Sequence, residues 1–260
     1  MILEMTSVAL ISVLVFMFFL WLIHLAIKNV GIIDFGWVMS IVIAAFTYFM
    51  LGEGYGFRKL MVFVMVSMWG LRLAFYILVA RVIGKSEDPR YQEFRKAGGW
   101  INWGNFFLLF EFQALIAFVF SFAFLFPCLN QHPRISILEF VAFFLLLIAV
   151  SGEALADYQL SRFKSDRLSK GKVCQVGLWK YSRHPNYFFE WLTWISFFLF
   201  SLASPFGFIS VVAPLLILYF LFKVTGIPAT EAQALRSKGE AYREYQKRTS
   251  VFIPWFPKRS

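Results

Sequence analysis

Between Gly177 and Trp191 the chain reads G-L-W-K-Y-S-R-H-P-N-Y-F-F-E-W. Pro185 suits the first position of a helix, where its missing N–H costs nothing. Helical spacing then places Asn186, Glu190, Thr193 and Trp194 on one face pointing inward from the helix start. Arg183 and His184 stand just before that start, with Tyr181 and Tyr187 on either side. A helix N-terminus carrying these cations is an expected anion site. Anchoring to lipid phosphate is the plainer use of the same residues, but it leaves Asn186 and Glu190 without a purpose.

Upstream, Glu153 and Asp157 are four residues apart, so two like charges share one helical face and need compensation. Arg162, Lys164, Arg167, Lys170 and Lys172 follow at once. Carboxylates suit ribose hydroxyls and cations suit phosphates, so a mixed pocket of this kind fits a nucleotide. The competing reading is a basic loop drawn to anionic lipid, worth about 1 kcal/mol per cation. Downstream, T-E-A-Q-A-L-R-S-K-G-E-A-Y-R-E-Y-Q-K-R from Thr230 reads as a charged helix lying along the membrane, capped by Thr230 and broken near Gly239. Glu231, Arg236, Tyr242 and Tyr245 either close over a cofactor or form a solvated amphipathic tail.

A further set sits where lipid is expected. Charge at membrane depth is expensive, so Asp34, Arg72 and Glu111 must face the bundle interior, a wet cavity or the interface. Trp37 follows Asp34 by three residues, and Trp69, Arg72 and Tyr76 share a stripe. Asp34 and Arg72 either pair to hold helices together or line a cavity that takes an apolar ligand with one polar group. His24 and His132 have no Cys or carboxylate at ligand spacing, and no metal is expected.

The elements that position these residues follow from composition. At 60% hydrophobic, 15% charged and 34 Phe in 260 residues, the chain has too much apolar side chain for a water-soluble globule. Apolar stretches cover about 7–28, 31–51, 60–81, 104–127, 136–157, 187–203 and 206–223, each near the roughly 20 residues that span a bilayer. The expected fold is an all-α integral membrane protein with seven transmembrane helices, the last two joined by a tight turn at Ala203, Ser204 and Pro205. The first span lacks a basic leader and a small-residue cleavage site, so it reads as retained.

The formal charge of +10 would suggest nucleic acid in a soluble chain. Here it sorts by side instead. Lys28, five basic residues in 81–102, seven in 157–185 and eight from Lys223 onward fall on one face, against Arg58, Lys59 and Arg134 on the other. The bias places the N-terminus outside and the C-terminus in the cytoplasm. Residues 1–260 then form one multi-pass domain, with a cytoplasmic cofactor face and a C-terminal amphipathic helix. Cys128 and Cys174 fall on opposite sides.

R-H-P-N-Y with Glu190 soon after, G-E-A-Y-R-E-Y-Q-K-R-T-S-V-F-I-P-W near the end, D-F-G-W at Asp34 to Trp37, and W-G-L-R-L with G-K-S-E-D-P-R-Y between Trp69 and Tyr91 together resemble the membrane family of steroid 5-alpha-reductases and their bacterial relatives. The resemblance implies NADPH-dependent reduction of a carbon-carbon double bond conjugated to a ketone, as in a 3-oxo-delta-4 steroid. It implies a cofactor half mainly in 136–260 and a substrate cavity mainly in 1–127. Glu153 and Asp157 then match adenosine-side polar residues, Lys164 and Lys172 stand for phosphate-binding arginines, and Asn186, Glu190 and Trp194 match the nicotinamide side. Arg236, Tyr242 and Tyr245 match the closing segment loosely. The animal enzymes' substrate-binding glutamine, glutamate and tyrosine are replaced here by Asp34 and Trp69, with Tyr76 one stripe further.

Hydride delivery to the β-carbon builds negative charge on the ketone oxygen, so the site needs a donor aimed there. Asp34 as the carboxylic acid is the expected donor, with Tyr76 or Tyr187 competing. The expected partners are a hydrophobic enone or steroid and membrane lipid, with no nucleic acid and a monomeric chain, in a bacterial inner membrane or the endoplasmic reticulum. The rival enzyme is an S-adenosylmethionine-dependent methyltransferase of the isoprenylcysteine carboxyl methyltransferase type, which shares R-H-P-x-Y but usually has a glycine where Phe189 stands. Seven basic residues from Arg162 to Arg183 favour the three phosphates of NADPH. A non-enzymatic lipid binder or transporter using Asp34 and Arg72 as a relay is the third reading.

Overall fold

The computed structural model describes residues 1–87, 101–224 and 226–258. Asp88 to Tyr91 of the G-K-S-E-D-P-R-Y motif, and the basic residues Arg90, Arg95 and Lys96, lie outside them. Among the described residues the regular structure is all helical, with no strand. The helices are α1 (Ile2–Ile27), α2 (Ile32–Leu51), α3 (Gly56–Ile77), α4 (Ile101–Leu129), α5 (Ile137–Ser165), α6 (Pro185–Leu202), α7 (Val212–Tyr219), α8 (Ile227–Lys238) and α9 (Glu240–Arg248).

Among the described residues, six helical stretches are long and apolar enough to cross a membrane: Ile2–Ile27, Ile32–Leu51, Gly56–Ala80, Phe106–Leu129, Ile137–Ser165 and the one that begins at Gly207. Each overlaps one of the expected spans. The remaining expected span is α6. It is 18 residues long, and Asn186, Tyr187 and Glu190 in its first half leave it less apolar than the other six.

The helices divide into two compact units, Met1–Ser136 with Phe200–Ser210, and Ile137–Leu199 with Val211–Ser260. In the first, α2 is central and touches α1, α3 and α4. α1 buries Met5, Ala9, Val13, Met17, Leu20 and His24, a stripe one residue wide per turn, and leaves side chains such as Phe19 and Ile23 exposed for lipid. α3 approaches α2 closely because Gly70 has no side chain: a Cβ there would come within 2.4 Å of Val42 Cγ2. Tyr48 and Ser121 share a hydrogen bond of 3.1 Å between α2 and α4.

At one end of this unit Arg58 is buried and caps a loop. Its Nη1 donates to the carbonyls of Asn130 (3.2 Å) and His132 (2.6 Å), and its Nη2 to that of Arg134 (2.5 Å). Lys59 Nζ donates to Gly52 O (2.6 Å), and Asn130 Nδ2 to Ser204 Oγ (3.1 Å). Arg58 and Lys59 therefore donate to backbone carbonyls just past the ends of α4 and α2.

In the second unit α5 has 29 residues, about 43 Å at 1.5 Å per residue, which exceeds the roughly 30 Å of hydrocarbon. The expected end near residue 157 is therefore not an end. Glu153 and Asp157 sit within unbroken helix, on a buried stripe with Ala142, Leu146, Ala149 and Ala156. The loop after α5 folds back onto it: Trp179 Nε1 donates to Ala156 O (2.9 Å), and Leu178 N donates to Gln159 Oε1 (2.9 Å). α8 starts three residues before the expected cap. Gly226 is its N-cap, and the Thr230 hydroxyl donates back to Gly226 O (2.6 Å) instead. The break at Gly239 is present, with φ of 54°.

Candidate functional site

The first turns of α6 and the later turns of α5 bring five of the expected residues together in the second unit. Asn186 Nδ2 donates to Asp157 Oδ1 at 3.4 Å. One turn deeper, Trp194 Nε1 donates to Glu190 Oε1 at 2.9 Å, and Trp194 is fully buried. Glu153, Asp157 and Glu190 are each less than a tenth exposed. Carboxylates so placed need polar company, because burying an uncompensated charge is costly. Two polar atoms of the same face, Asn186 Oδ1 and Thr193 Oγ1, are buried without a hydrogen-bond partner. Buried polar atoms are paired in the great majority of proteins, so these two have capacity to spare.

Gly152 and Phe189 bring α5 and α6 close just above this cluster. A Cβ on Gly152 would stand 2.4 Å from Phe189 Cε1 and 2.5 Å from its Cδ1.

Arg183 and His184 are placed differently from a free anion site. Arg183 donates Nε to Glu231 Oε1 (2.7 Å) and Nη1 to the carbonyls of Gln246 (2.9 Å) and Thr249 (2.8 Å). His184 Nε2 meets the same carboxylate oxygen at 3.2 Å, and Gln246 Nε2 donates to Glu231 Oε2 at 2.8 Å. The guanidinium thus clasps α8 and α9 to the start of α6. The Tyr187 ring stacks on His184 with 3° between planes, and its hydroxyl lies 3.3 Å from Thr230 Oγ1.

Of the closing segment, Tyr242 and Tyr245 point inward and are buried, whereas Arg236 is exposed. Tyr245 donates its hydroxyl to the carbonyls of Trp179 and Ser182. Burial pushes both phenols well above their usual range, with the Glu231 carboxylate adding to the effect at Tyr242 and Tyr242 itself adding to it at Tyr245. Tyr181 packs against Phe256.

The expected phosphate-side cations Arg162, Lys164 and Lys172 are all exposed. Burial raises the Cys174 thiol pKa, opposed by the Val176 backbone N–H and by the charges of Lys238 and Lys164, so these two lysines lie near the thiol. Lys238, Gln246, Gln159 and Gly152 escaped the sequence reading. The signal for Gln246 was its place four residues beyond Tyr242, on the buried face of α9. Gly152 and Lys238 lay in stretches that read as plain helix, and Gln159 lay just past the expected end of its span.

The expected substrate-side residues lie in the first unit. Trp37 makes edge-to-face contacts with Trp69 (6.3 Å between centroids) and Phe120 (5.5 Å). Trp69 is fully buried, while Asp34, Arg72 and Tyr76 are partly so. Trp37, Trp69 and Phe120 thus bring aromatic rings of α2, α3 and α4 together.

Uncharacterized protein C594.04c of Schizosaccharomyces pombe is 25% identical over an alignment of 267 positions, which covers 90% of this chain and 75% of that protein. No solved structure matches. The family described as "Protein of unknown function (DUF1295)" matches residues 20–249, and the chain belongs to that family of membrane proteins.

Proposed function

We propose that this chain is an NADPH-dependent reductase that saturates a carbon-carbon double bond conjugated to a ketone in a membrane-dissolved molecule, of the 3-oxo-delta-4 steroid type. The observation that carries the reading is the buried polar face of α5 and α6, where Glu153, Asp157, Asn186, Glu190 and Trp194 converge with two unpartnered polar atoms. DUF1295 includes steroid 5-alpha-reductase-like membrane proteins, which adds weight to the motif resemblance.

The residues present fit the cofactor. Asn186 Oδ1 and Thr193 Oγ1 have capacity for an amide or hydroxyl, buried Glu153 and Asp157 suit ribose hydroxyls, and the exposed Lys164 and Lys172 suit phosphate. NADPH supplies the hydride when bound. Asp157, by accepting from Asn186 Nδ2, fixes which way that side-chain oxygen faces. Glu190 orients the Trp194 indole in the same manner. Asp34 of the first unit is the proposed proton donor to the ketone oxygen, with Tyr76 of that unit and Tyr187 of the second as competitors, and Trp37, Trp69 and Arg72 hold the acceptor. Tyr187 is the weaker competitor, since its hydroxyl already meets Thr230. Topology belongs to the same proposal: α6 is a seventh crossing, the N-terminus is outside, and the loops carrying most Lys and Arg are cytoplasmic.

The test is a thermal melt of the purified full chain in detergent with NADPH and, separately, with S-adenosylmethionine. A ligand at a hundred times its Kd stabilises by about 2.7 kcal/mol, so the true cofactor raises Tm and the other does not. A shift with S-adenosylmethionine alone selects the methyltransferase, and no shift with saturating NADPH ends the reductase reading. Incubating the NADPH-loaded protein with a panel of enones and identifying the product then names the acceptor.

A further inference from the structure

The chain after α9 is held to the second unit through its backbone. Arg183 N donates to Ser250 O (2.8 Å), Ser182 Oγ to Phe252 O (2.7 Å), Trp255 N to Tyr181 O (2.9 Å) and Lys258 N to Arg248 O (2.9 Å). Phe252 is buried among Phe188 and Trp191 of α6 and Phe222, with ring centroids 5.7, 5.8 and 5.1 Å away. Yet Ile253 is 58% exposed, Trp255 70% and Phe256 75%. A backbone tied at four points cannot fold these three side chains away, so something outside the chain must cover them or they stay in water at a cost.

Phe252 marks the depth. Phe188 and Trp191 lie in the first two turns of α6, and Phe222 closes the apolar run before the polar α8. The segment therefore sits where both elements leave the apolar layer. Exposed Lys180, Arg248 and Lys258 flank it, the last two brought together by their backbone bond. Tryptophan favours the headgroup level of a bilayer, and cations beside it favour anionic lipid. α9 is not the surface that meets the membrane, because its apolar face, Tyr242 and Tyr245, is turned into the protein.

We propose that Ile253, Trp255 and Phe256 form a hook that inserts into the headgroup region of the leaflet on the C-terminal side, with Lys180, Arg248 and Lys258 engaging its anionic phosphates. The site is independent of the reductase reading. It requires that the chain spans a membrane and that α6 enters the apolar layer near Phe188 and Trp191.

The test uses the full chain in nanodiscs of phosphatidylcholine, with and without phosphatidylglycerol, carrying a nitroxide on Trp255→Cys, Phe256→Cys or, as the aqueous reference on α9, Glu244→Cys. The native Cys128 and Cys174 are buried, and the unsubstituted chain reports any label they take. At positions 255 and 256 the ratio of collisions with oxygen to collisions with a water-soluble nickel chelate is expected to be several-fold higher than at 244. It should rise further with phosphatidylglycerol, and not in the Lys180→Ala, Arg248→Ala, Lys258→Ala background. A ratio equal to that at 244 overturns the proposal, as does shielding from both reagents, which would mean protein covers the hook. No response to phosphatidylglycerol overturns the role given to the three cations.

Discussion

The ring of Phe189 lies so close over Gly152 that a single added methyl carbon would come within 2.4 Å of Cε1. α5 and α6 are thereby fixed in register just above the buried carboxylates. Gly152→Ala is expected to push the ring aside and destabilise the protein by about 1–3 kcal/mol. Phe189→Leu in the same chain should recover most of that loss, read as Tm in detergent. Equal melting of Gly152→Ala and the parent chain would show that α5 and α6 are not fixed there.

Asn186 and Glu190 should separate by kind of damage. Asn186→Ala removes a long 3.4 Å bond, so Tm is expected to move little while the NADPH-induced rise disappears. Glu190→Ala strands the fully buried Trp194 indole N–H, at about 1–3 kcal/mol, whereas Glu190→Gln keeps an acceptor and should hold Tm within about 1 kcal/mol. Thermal melts of the three variants, with and without NADPH, check this. Collapse of Asn186→Ala would make that residue structural.

Arg183 is expected to matter for stability before it matters for any ligand. Arg183→Ala leaves the Glu231 carboxylate partly buried beside His184 and Gln246 without its main cation, at about 3 kcal/mol. Glu231→Gln preserves an acceptor and should cost less. Limited proteolysis would report the same order, with cleavage after α8 appearing first in Arg183→Ala.

Arg58→Lys should destabilise the first unit nearly as much as Arg58→Ala. One ammonium cannot reach the carbonyls of Asn130, His132 and Arg134 in the way a planar guanidinium does. A loss of about 2 kcal/mol is expected for each variant, measured by thermal unfolding, with NADPH binding kept at the temperatures where the chain remains folded.

For the proposed proton donor, Asp34→Asn should retain the NADPH-dependent Tm rise and lose enone reduction by about 100-fold or more. Full turnover would move the role to Tyr76.

Most of the crossings could be read from the sequence because their apolar runs are long, and length in lipid needs no tertiary context. The end of α5 could not. Arg162 and Lys164 look like a loop, yet the helix continues to Ser165, with the returning segment bonded to it at Leu178 and Trp179. The inward face of α6 was legible from Pro185 and the spacing of Asn186, Glu190 and Trp194. The fate of Arg183 was not, since its acceptors lie 48, 63 and 66 residues further along. That Phe189 faces Gly152 across the interface can be seen only once the two helices are side by side.

The clasp also sets an order of birth. Arg183 leaves the ribosome dozens of residues ahead of Glu231, and Gln246 and Thr249 come later still. Until those acceptors emerge, the early guanidinium has only water or lipid phosphate for company. The start of α6 is thus completed only after α8 and α9 have been made. Deletions that remove α9 should spare the earlier crossings and yet leave the polar face unfinished.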